Sequence, residues 1–223
     1  MPRPVAPLQP RKSPAQSRAV ETVAAVLEAA ARILEERGFA GYTTNAVALR
    51  AGVSIGSLYQ YFPGKDAVTA ALIERETATL LADMAAVMIE PGFEARLGRM
   101  IRAAVTHQMR RPALGVLLDF EERRLPLGAR NERVADQIHR VLIDILIQAG
   151  LPADGDRATA AQDLLAITRG MIDVAGECGE TDAAGLERRV TRALFGYLGL
   201  QPGSVPLGLT RRSAAPRAGR SPR

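Results

Sequence analysis

The sequence is poor in several residue types, and each shortage excludes a class of protein. Its 223 residues include no tryptophan and a single cysteine, Cys178, so neither an intramolecular disulfide nor a cysteine cluster for a metal can form. We expect Cys178 to be a small buried residue and the chain to remain in the reducing cytoplasm. The most apolar run, residues 141–151, is interrupted by Asp144 and is too short to cross a bilayer, which predicts no membrane partner.

Motifs of enzymes are also missing. The sequence has no HExxH, no P-loop, no GxSxG, no glycine-rich dinucleotide turn and no CxxC. Its two histidines, His107 and His139, are 32 positions apart and fall on different predicted helices without a nearby pair of acids. These shortages predict a protein that is not an enzyme, with no catalytic residue, no metal site and no cofactor.

The net charge of +5 comes from the two ends of the chain. Residues 1–20 contain four basic residues and residues 201–223 contain five, with no acid in either segment, so the residues between them carry a net charge of −4. Residues 1–17 contain five prolines, and proline, glycine and serine are frequent in residues 201–223, so we predict a disordered basic arm at residues 1–17 and a disordered basic tail at 201–223. Such segments could add non-specific contacts to phosphate.

Between these ends the pattern is helical. Alternating β-branched residues are not evident, and glycine and proline recur at intervals of about one helix, which predicts an all-α protein. From Arg18 to Arg37, apolar residues recur at steps of three and four, as in an amphipathic helix that Gly38 ends. We predict further helices from about residue 44 and over 55–62, 65–90, 93–109, 114–124, 131–149, 156–177 and 182–198.

The segment from Tyr42 to Asp66 predicts a helix-turn-helix, in which the second helix enters the major groove of DNA. Gly52 can adopt the positive φ that closes the first helix, and Ser54 can cap the second. On a helical wheel the second helix directs Ile55, Leu58 and Phe62 inwards. Gly56 and Gln60 face outwards, Ser57 and Tyr59 lie at the flanks, and Tyr61 lies near the buried edge. The rings of Tyr59 and Tyr61 could belong to the core, or their hydroxyl groups could meet phosphate, which we favour.

These residues carry a resemblance to a known family. The run VSIGSLYQYFPGKDAV, preceded by TTNAVALRAG and ILEERGFAGYT, resembles the tetracycline-repressor (TetR) family of bacterial transcriptional regulators over residues 18–68. The resemblance implies that Thr44, Ser57, Tyr59, Tyr61 and Lys65 hold DNA or contact its bases. It implies a helix-turn-helix head at residues 18–65 and a ligand-binding and dimerisation body at residues 66–200. The full predicted DNA-binding set is Thr43, Thr44, Ser54, Gly56, Ser57, Tyr59, Gln60, Tyr61 and Lys65.

Two further sites are expected in the body. The last two predicted helices carry apolar stripes that could form a four-helix bundle with a second copy, or could face only their own core. The stripes predicted for dimerisation are Leu164, Thr168, Met171 and Ala175 on one helix and Leu186, Val190, Ala193, Leu194 and Tyr197 on the other. The family resemblance implies an effector pocket between residues 93 and 149, for which we select His107, Met109 and Phe120.

The sequence therefore favours a homodimeric, ligand-responsive regulator of transcription. We expect a repressor that binds a palindromic operator in double-stranded DNA and is released by a small-molecule effector. The long helix that begins at Lys65 could couple the two sites. The alternative is a helical small-molecule binding protein with only non-specific affinity for DNA, and an enzyme on a helical scaffold is a weaker third hypothesis.

Overall fold

A computed structural model describes residues 17–150 and 156–200 of the chain. These residues form nine helices and no strand, which confirms the all-α prediction. The arm and the tail predicted at the two ends lie outside the described residues. The helices are α1 (Ser17–Gly41), α2 (Thr44–Ala51), α3 (Ile55–Tyr61), α4 (Lys65–Val87), α5 (Phe93–Arg110), α6 (Pro112–Arg124), α7 (Gly128–Gln148), α8 (Asp156–Glu177) and α9 (Ala183–Tyr197).

The head is a three-helix unit whose core also includes side chains from the start of α4 and from α6. The backbone of α1 leaves helical geometry at Gly38, whose φ of 58° lies in the left-handed region, so the predicted end of the amphipathic helix is marked by a kink. Tyr42 follows this kink and is buried, and its hydroxyl group lies 3.1 Å from Oγ1 of Thr69 on α4. Leu58 and Phe62 from the α3 region are fully buried in the same core.

Helix α4 joins the head to the body. It has 23 residues and is therefore about 34 Å long at about 1.5 Å per residue. Val68 and Leu72 near its start belong to the head core, whereas Met84 and Val87 near its end belong to the body core. The helix ends at Val87, three residues before the predicted end at Glu90.

The body core lies among α4, α5, α7, α8 and α9. Phe93 and Phe195 join the first turn of α5 to the last turns of α9, with ring centroids 5.9 Å apart. Cys178, which we expected to be buried, is exposed because it follows the last residue of α8, where the chain turns towards α9. Among the described residues, no helix combines the length and the apolar character needed to span a membrane.

Candidate DNA-binding surface and effector cavity

The turn between α2 and α3 has the hydrogen bonds that its sequence predicts. The hydroxyl group of Thr43 caps α2 by accepting from the backbone N–H of Ala46 at 3.1 Å. Gly52 closes α2 with a φ of 70°, a conformation in which a side chain would be strained. Ser54 caps α3 by accepting from the backbone N–H of Ser57 at 3.0 Å. The two helices are therefore held by local chemistry as well as by the head core.

The exposed side of α3 agrees with the helical wheel at most positions. Gly56, Tyr59 and Gln60 are exposed, and Leu58 is fully buried. The inward placement of Ile55 is wrong, because this side chain is 38% exposed and is not part of the head core. Ile55 is the first residue of a helix of only two turns, and the head core includes Leu58 and Phe62 but not this first residue.

Several hydroxyl groups converge beside this exposed face. Oγ1 of Thr44 and the hydroxyl group of Tyr59 lie 3.1 Å apart, and those of Ser54 and Ser57 lie 2.8 Å apart. Tyr61 is half-buried and packs against the head core. Hydroxyl groups in such positions are common partners of DNA phosphates.

The start of α4 completes the surface. Its cap residue, Gly64, has no side chain to bond the first N–H groups of the helix, which leaves them available to an anion. The adjacent Lys65 is exposed, and its Nζ lies 5.7 Å from the ring centroid of Tyr42. This cation–π contact holds the cation beside the helix terminus.

A cavity of about 230 Å³ lies in the body, lined by α4, α5, α6, α7 and α8. Its apolar walls include Leu80, Met84, Met100, Leu142 and Ile172. Of the three residues predicted for a pocket, His107 lines this cavity. Met109 and Phe120 do not: Met109 packs against the body core, and Phe120 is 55% exposed with its ring centroid 5.8 Å from that of Phe39. Their residue types do not determine the direction in which a helix presents these side chains.

Comparisons with known proteins agree with this architecture. The family described as bacterial regulatory proteins, tetR family, matches residues 26–72, and the tetracyclin repressor-like C-terminal domain matches residues 93–198. The chain belongs to the TetR family. A relative is the nucleoid occlusion factor SlmA of Edwardsiella ictaluri (strain 93-146), 31% identical over 156 residues that cover 66% of this chain and 79% of the relative.

Solved structures share the fold of this TetR-family chain. The fatty acid degradation regulator FadR from Bacillus halodurans has a TM-score of 0.68 at 18% identity, with coverage of 81% of this chain and 97% of that one. A TetR-family transcriptional regulator from Streptomyces coelicolor has a TM-score of 0.60 at 24% identity, with coverage of 80% and 98%. The chain is thus a transcriptional regulator of a family whose members bind DNA, form dimers and are in general not enzymes.

In this TetR-family chain, the residues at the polar end of the cavity other than His107 were missed by sequence reasoning. Asp119, Glu122 and Asp173 line it together with Gln108 and His107. Asp119 and Asp173 are separated by 54 positions, and no periodicity brings such residues together in a sequence. Glu121 and Glu122 precede Arg123 and Arg124 in a charged run that is typical of a solvated, salt-bridged face. Glu121 is in fact buried and accepts hydrogen bonds from Arg124.

Helix α6 contacts the cavity and the head at the same time. Leu114 and Leu118 of α6 belong to the head core, and Asp119 faces the cavity. At the start of α6, Arg111 donates two hydrogen bonds to the carboxylate of Glu35, at 2.7 and 2.6 Å. The last residue of the helix, Arg124, pairs with Asp66 of α4 at 2.5 Å. Helix α6 is therefore joined by ion pairs to α1 of the head and to the first turn of α4.

The stripes predicted for dimerisation mostly face the core of their own chain. Six of their members are buried: Leu164, Thr168, Ala175, Leu186, Val190 and Leu194. Thr168 also donates from its hydroxyl group to the carbonyl of Leu164 at 2.7 Å and lines the cavity. Met171 and Ala193 are half-buried, and Tyr197 is 43% exposed with its hydroxyl group donating to Asp163 at 2.6 Å. The alternative of an internal core is correct for the buried six, because apolar periodicity does not distinguish an internal neighbour from an external one.

Proposed function

We propose that this protein is a homodimeric, cytoplasmic repressor that binds a palindromic operator and is released from it by a small molecule in the body cavity. The observation that carries the proposal is the position of α6. This helix supplies Asp119 and Glu122 to the cavity and reaches the head through Arg111 and Arg124. A ligand that displaced α6 would change the position of the head relative to the body, and hence its affinity for DNA.

Recognition of DNA would depend on a small set of groups. Gln60 projects from the exposed face of α3, and its amide can form two hydrogen bonds with an adenine edge in the major groove. Gly56 on the same face has only Oγ of Ser54 near the position of an added Cβ, at 3.8 Å, which allows close approach to a base. The hydroxyl groups of Thr43, Thr44, Ser57 and Tyr59 would contact phosphates together with Lys65 and the N-terminus of α4.

The dimer would use the outward face of α8 with α9 beside it. Ala166, Gly170 and Val174 of α8 are exposed and recur at every fourth position. Val174 is 56% exposed, and a Cβ added to Gly170 would meet no atom within 4 Å, so a partner helix has room to approach. Two heads held by such an interface can contact two half-sites of one operator, which a single short recognition helix needs for discrimination.

The proposal is tested by selecting genomic DNA fragments bound by the full-length protein, with and without a panel of metabolites. We expect an enriched palindrome that protects two half-sites in footprinting and is lost when one metabolite is present. Gln60→Ala should change base preference at about one position in each half-site. Lys65→Ala should weaken binding to all sequences alike and reduce the salt slope of log K by about 1.

Two results would contradict the proposal. A folded dimer that enriches no palindrome at any salt concentration would remove sequence-specific recognition. Steeply salt-dependent binding to all fragments, combined with tight binding of a metabolite, would instead support the alternative of a small-molecule binding protein with non-specific affinity for DNA.

A further inference from the structure

The polar end of the cavity contains two acids without a partner. Asp119 on α6 and Asp173 on α8 both line the cavity, and neither makes a hydrogen bond or an ion pair with any described residue. Burial, followed by the charge of Asp173, raises the pKa of Asp119 to about 6, and burial likewise raises the pKa of Asp173. Two carboxyl groups in one cavity whose charged forms are disfavoured by burial indicate a site that is completed by a cation.

The cations near these acids do not complete the site. Arg130 lines the cavity, but its guanidinium already pairs with Glu122 at 3.2 Å and donates to Oγ1 of Thr77 at 2.5 Å. Arg169 also lines the cavity, and with Arg123 it favours the charged forms of the aspartates, but both arginines are exposed and neither forms an ion pair with them. Within the described residues, no group of three or more histidine, cysteine or acidic side chains is arranged to hold a metal ion.

Gln108 provides independent evidence for a ligand in the same cavity. This residue is 91% buried, since 9% of its surface is exposed, and its Nε2 has no hydrogen-bond partner. It lies between Gly115 and Gly176, and a Cβ added at Gly176 would overlap Nε2. A buried amide N–H without an acceptor costs about 1–3 kcal/mol of stability, so an acceptor atom of a ligand is its expected partner.

His107 adds a third polar contact. Its Nδ1 is buried and has no hydrogen-bond partner. Burial, with the charge of Arg110 as the next cause, lowers the pKa of His107 and keeps its imidazole neutral. A neutral imidazole nitrogen can accept a hydrogen bond from an ammonium group, so His107 agrees with a cationic ligand.

We propose that the cavity binds a small amine whose ammonium group lies between Asp119 and Asp173 and whose apolar body lies against Leu80, Met84 and Ile172. The amine also carries a hydrogen-bond acceptor, which pairs with Nε2 of Gln108. The lining contains three acids (Asp119, Glu122 and Asp173) against two arginines (Arg130 and Arg169), so a carboxylate ligand would add to an excess of negative charge. A neutral apolar ligand would leave both aspartates without a partner. This inference rests on the proposed function, because it names the chemical class of the effector.

The test compares three probes that share an eight-carbon chain, n-octylamine, n-octanol and n-octanoate, by titration calorimetry on the full-length protein at pH 7.5 without DNA. We expect saturable binding of the amine that is on the order of tenfold to a hundredfold tighter than that of the alcohol, with octanoate weakest. The double variant Asp119→Asn/Asp173→Asn should reduce the preference for the amine over the alcohol to less than about threefold. The matched control Asp136→Asn removes an exposed charge on α7 outside the cavity and should leave the preference unchanged.

The inference is overturned if octylamine fails to saturate the protein, or if octanol or octanoate binds equally well. It is also overturned if the double variant keeps the preference for the amine. These results are separable from those of the fragment selection. If only uncharged or anionic metabolites release the protein from its operator, the regulator proposal stands and an amine is excluded as the effector. Saturable amine binding without any enriched operator would support an amine as the ligand and contradict the regulator proposal.

Discussion

Neutralising Asp119 should stabilise the protein although it removes a charge from the proposed ligand site. In the folded chain the pKa of this carboxyl group is raised to about 6, with burial as the main cause and the charge of Asp173 as the second. The corresponding value in an unfolded chain is about 3.9. The folded state thus binds more protons between about pH 4 and pH 6, and the free energy of unfolding falls as pH rises through this window.

The magnitude follows from the difference between the two pKa values. A difference of about two pH units corresponds to about 3 kcal/mol for a fully shielded group. Asp119 is partly exposed, and solvent screening reduces this value, so we expect about 1–2 kcal/mol. Asp119→Asn imitates the protonated acid at every pH. The variant should therefore exceed the parent in free energy of unfolding by about 1–2 kcal/mol at pH 7.5 and by almost nothing at pH 4.

The assay is urea unfolding at pH 4, 5, 6 and 7.5, with the protein concentration held fixed because the protein forms a dimer in the proposed function. Asp136→Asn is the control, since this exposed acid on the next helix should change stability by less than about 0.5 kcal/mol at each pH. A variant less stable than the parent at pH 7.5 would refute the reasoning. It would mean that the carboxylate of Asp119 stabilises the folded chain and is not held there at a cost.

Two further predictions concern the neighbours of the cavity. Gly176→Ala should destabilise the parent protein by about 1–3 kcal/mol, because the added Cβ would overlap with Gln108. In a Gln108→Ala background the same substitution should stabilise the protein by about 0.5–1 kcal/mol, because alanine favours a helix. Urea unfolding of the four proteins measures this change of sign, and equal effects in both backgrounds would contradict it. Arg124→Ala should lower the free energy of unfolding by about 1–3 kcal/mol, because buried Glu121 loses its partner. Replacing the neighbouring exposed residue, Arg123→Ala, should lower it by less than about 0.5 kcal/mol. Equal losses of stability in thermal unfolding would show that the ion pair of Arg124 with Glu121 contributes nothing.

The turn of the head could be predicted closely because its hydrogen bonds join residues that are near one another in the sequence. Gly52 closes α2 and Ser54 caps α3 through bonds that span three to five residues, and glycine and serine are the residues that such bonds require. The error at Ile55 arises from the same source. A helical wheel assigns a direction to each side chain, but it does not show where the neighbouring helices end.

The body could be predicted only in outline, because its sites are assembled from distant segments. The helix boundaries follow from glycine and proline, and most lie within a few residues of the predicted ones. The stripe on α9 contains Leu186 and Val190, which a wheel can place on one face but cannot assign to an internal or an external neighbour. Both are fully buried in their own chain. The polar end of the cavity requires α5, α6 and α8 to meet, and no spacing in the sequence encodes that meeting.

The two functions of the chain place opposing demands on α6. To hold the head, the helix needs the rigid ion pairs of Arg111 and Arg124, which fix it against α1 and α4. To respond to a ligand, it keeps an unpaired acid, Asp119, on its other side, where burial disfavours the charge. A cation in the cavity would remove that penalty only in the arrangement that brings α6 and α8 around it. Under the proposed function, the ligand would favour the arrangement of α6 that places Asp119 closest to the cation, and this difference in affinity would shift α6 against its contacts with the head.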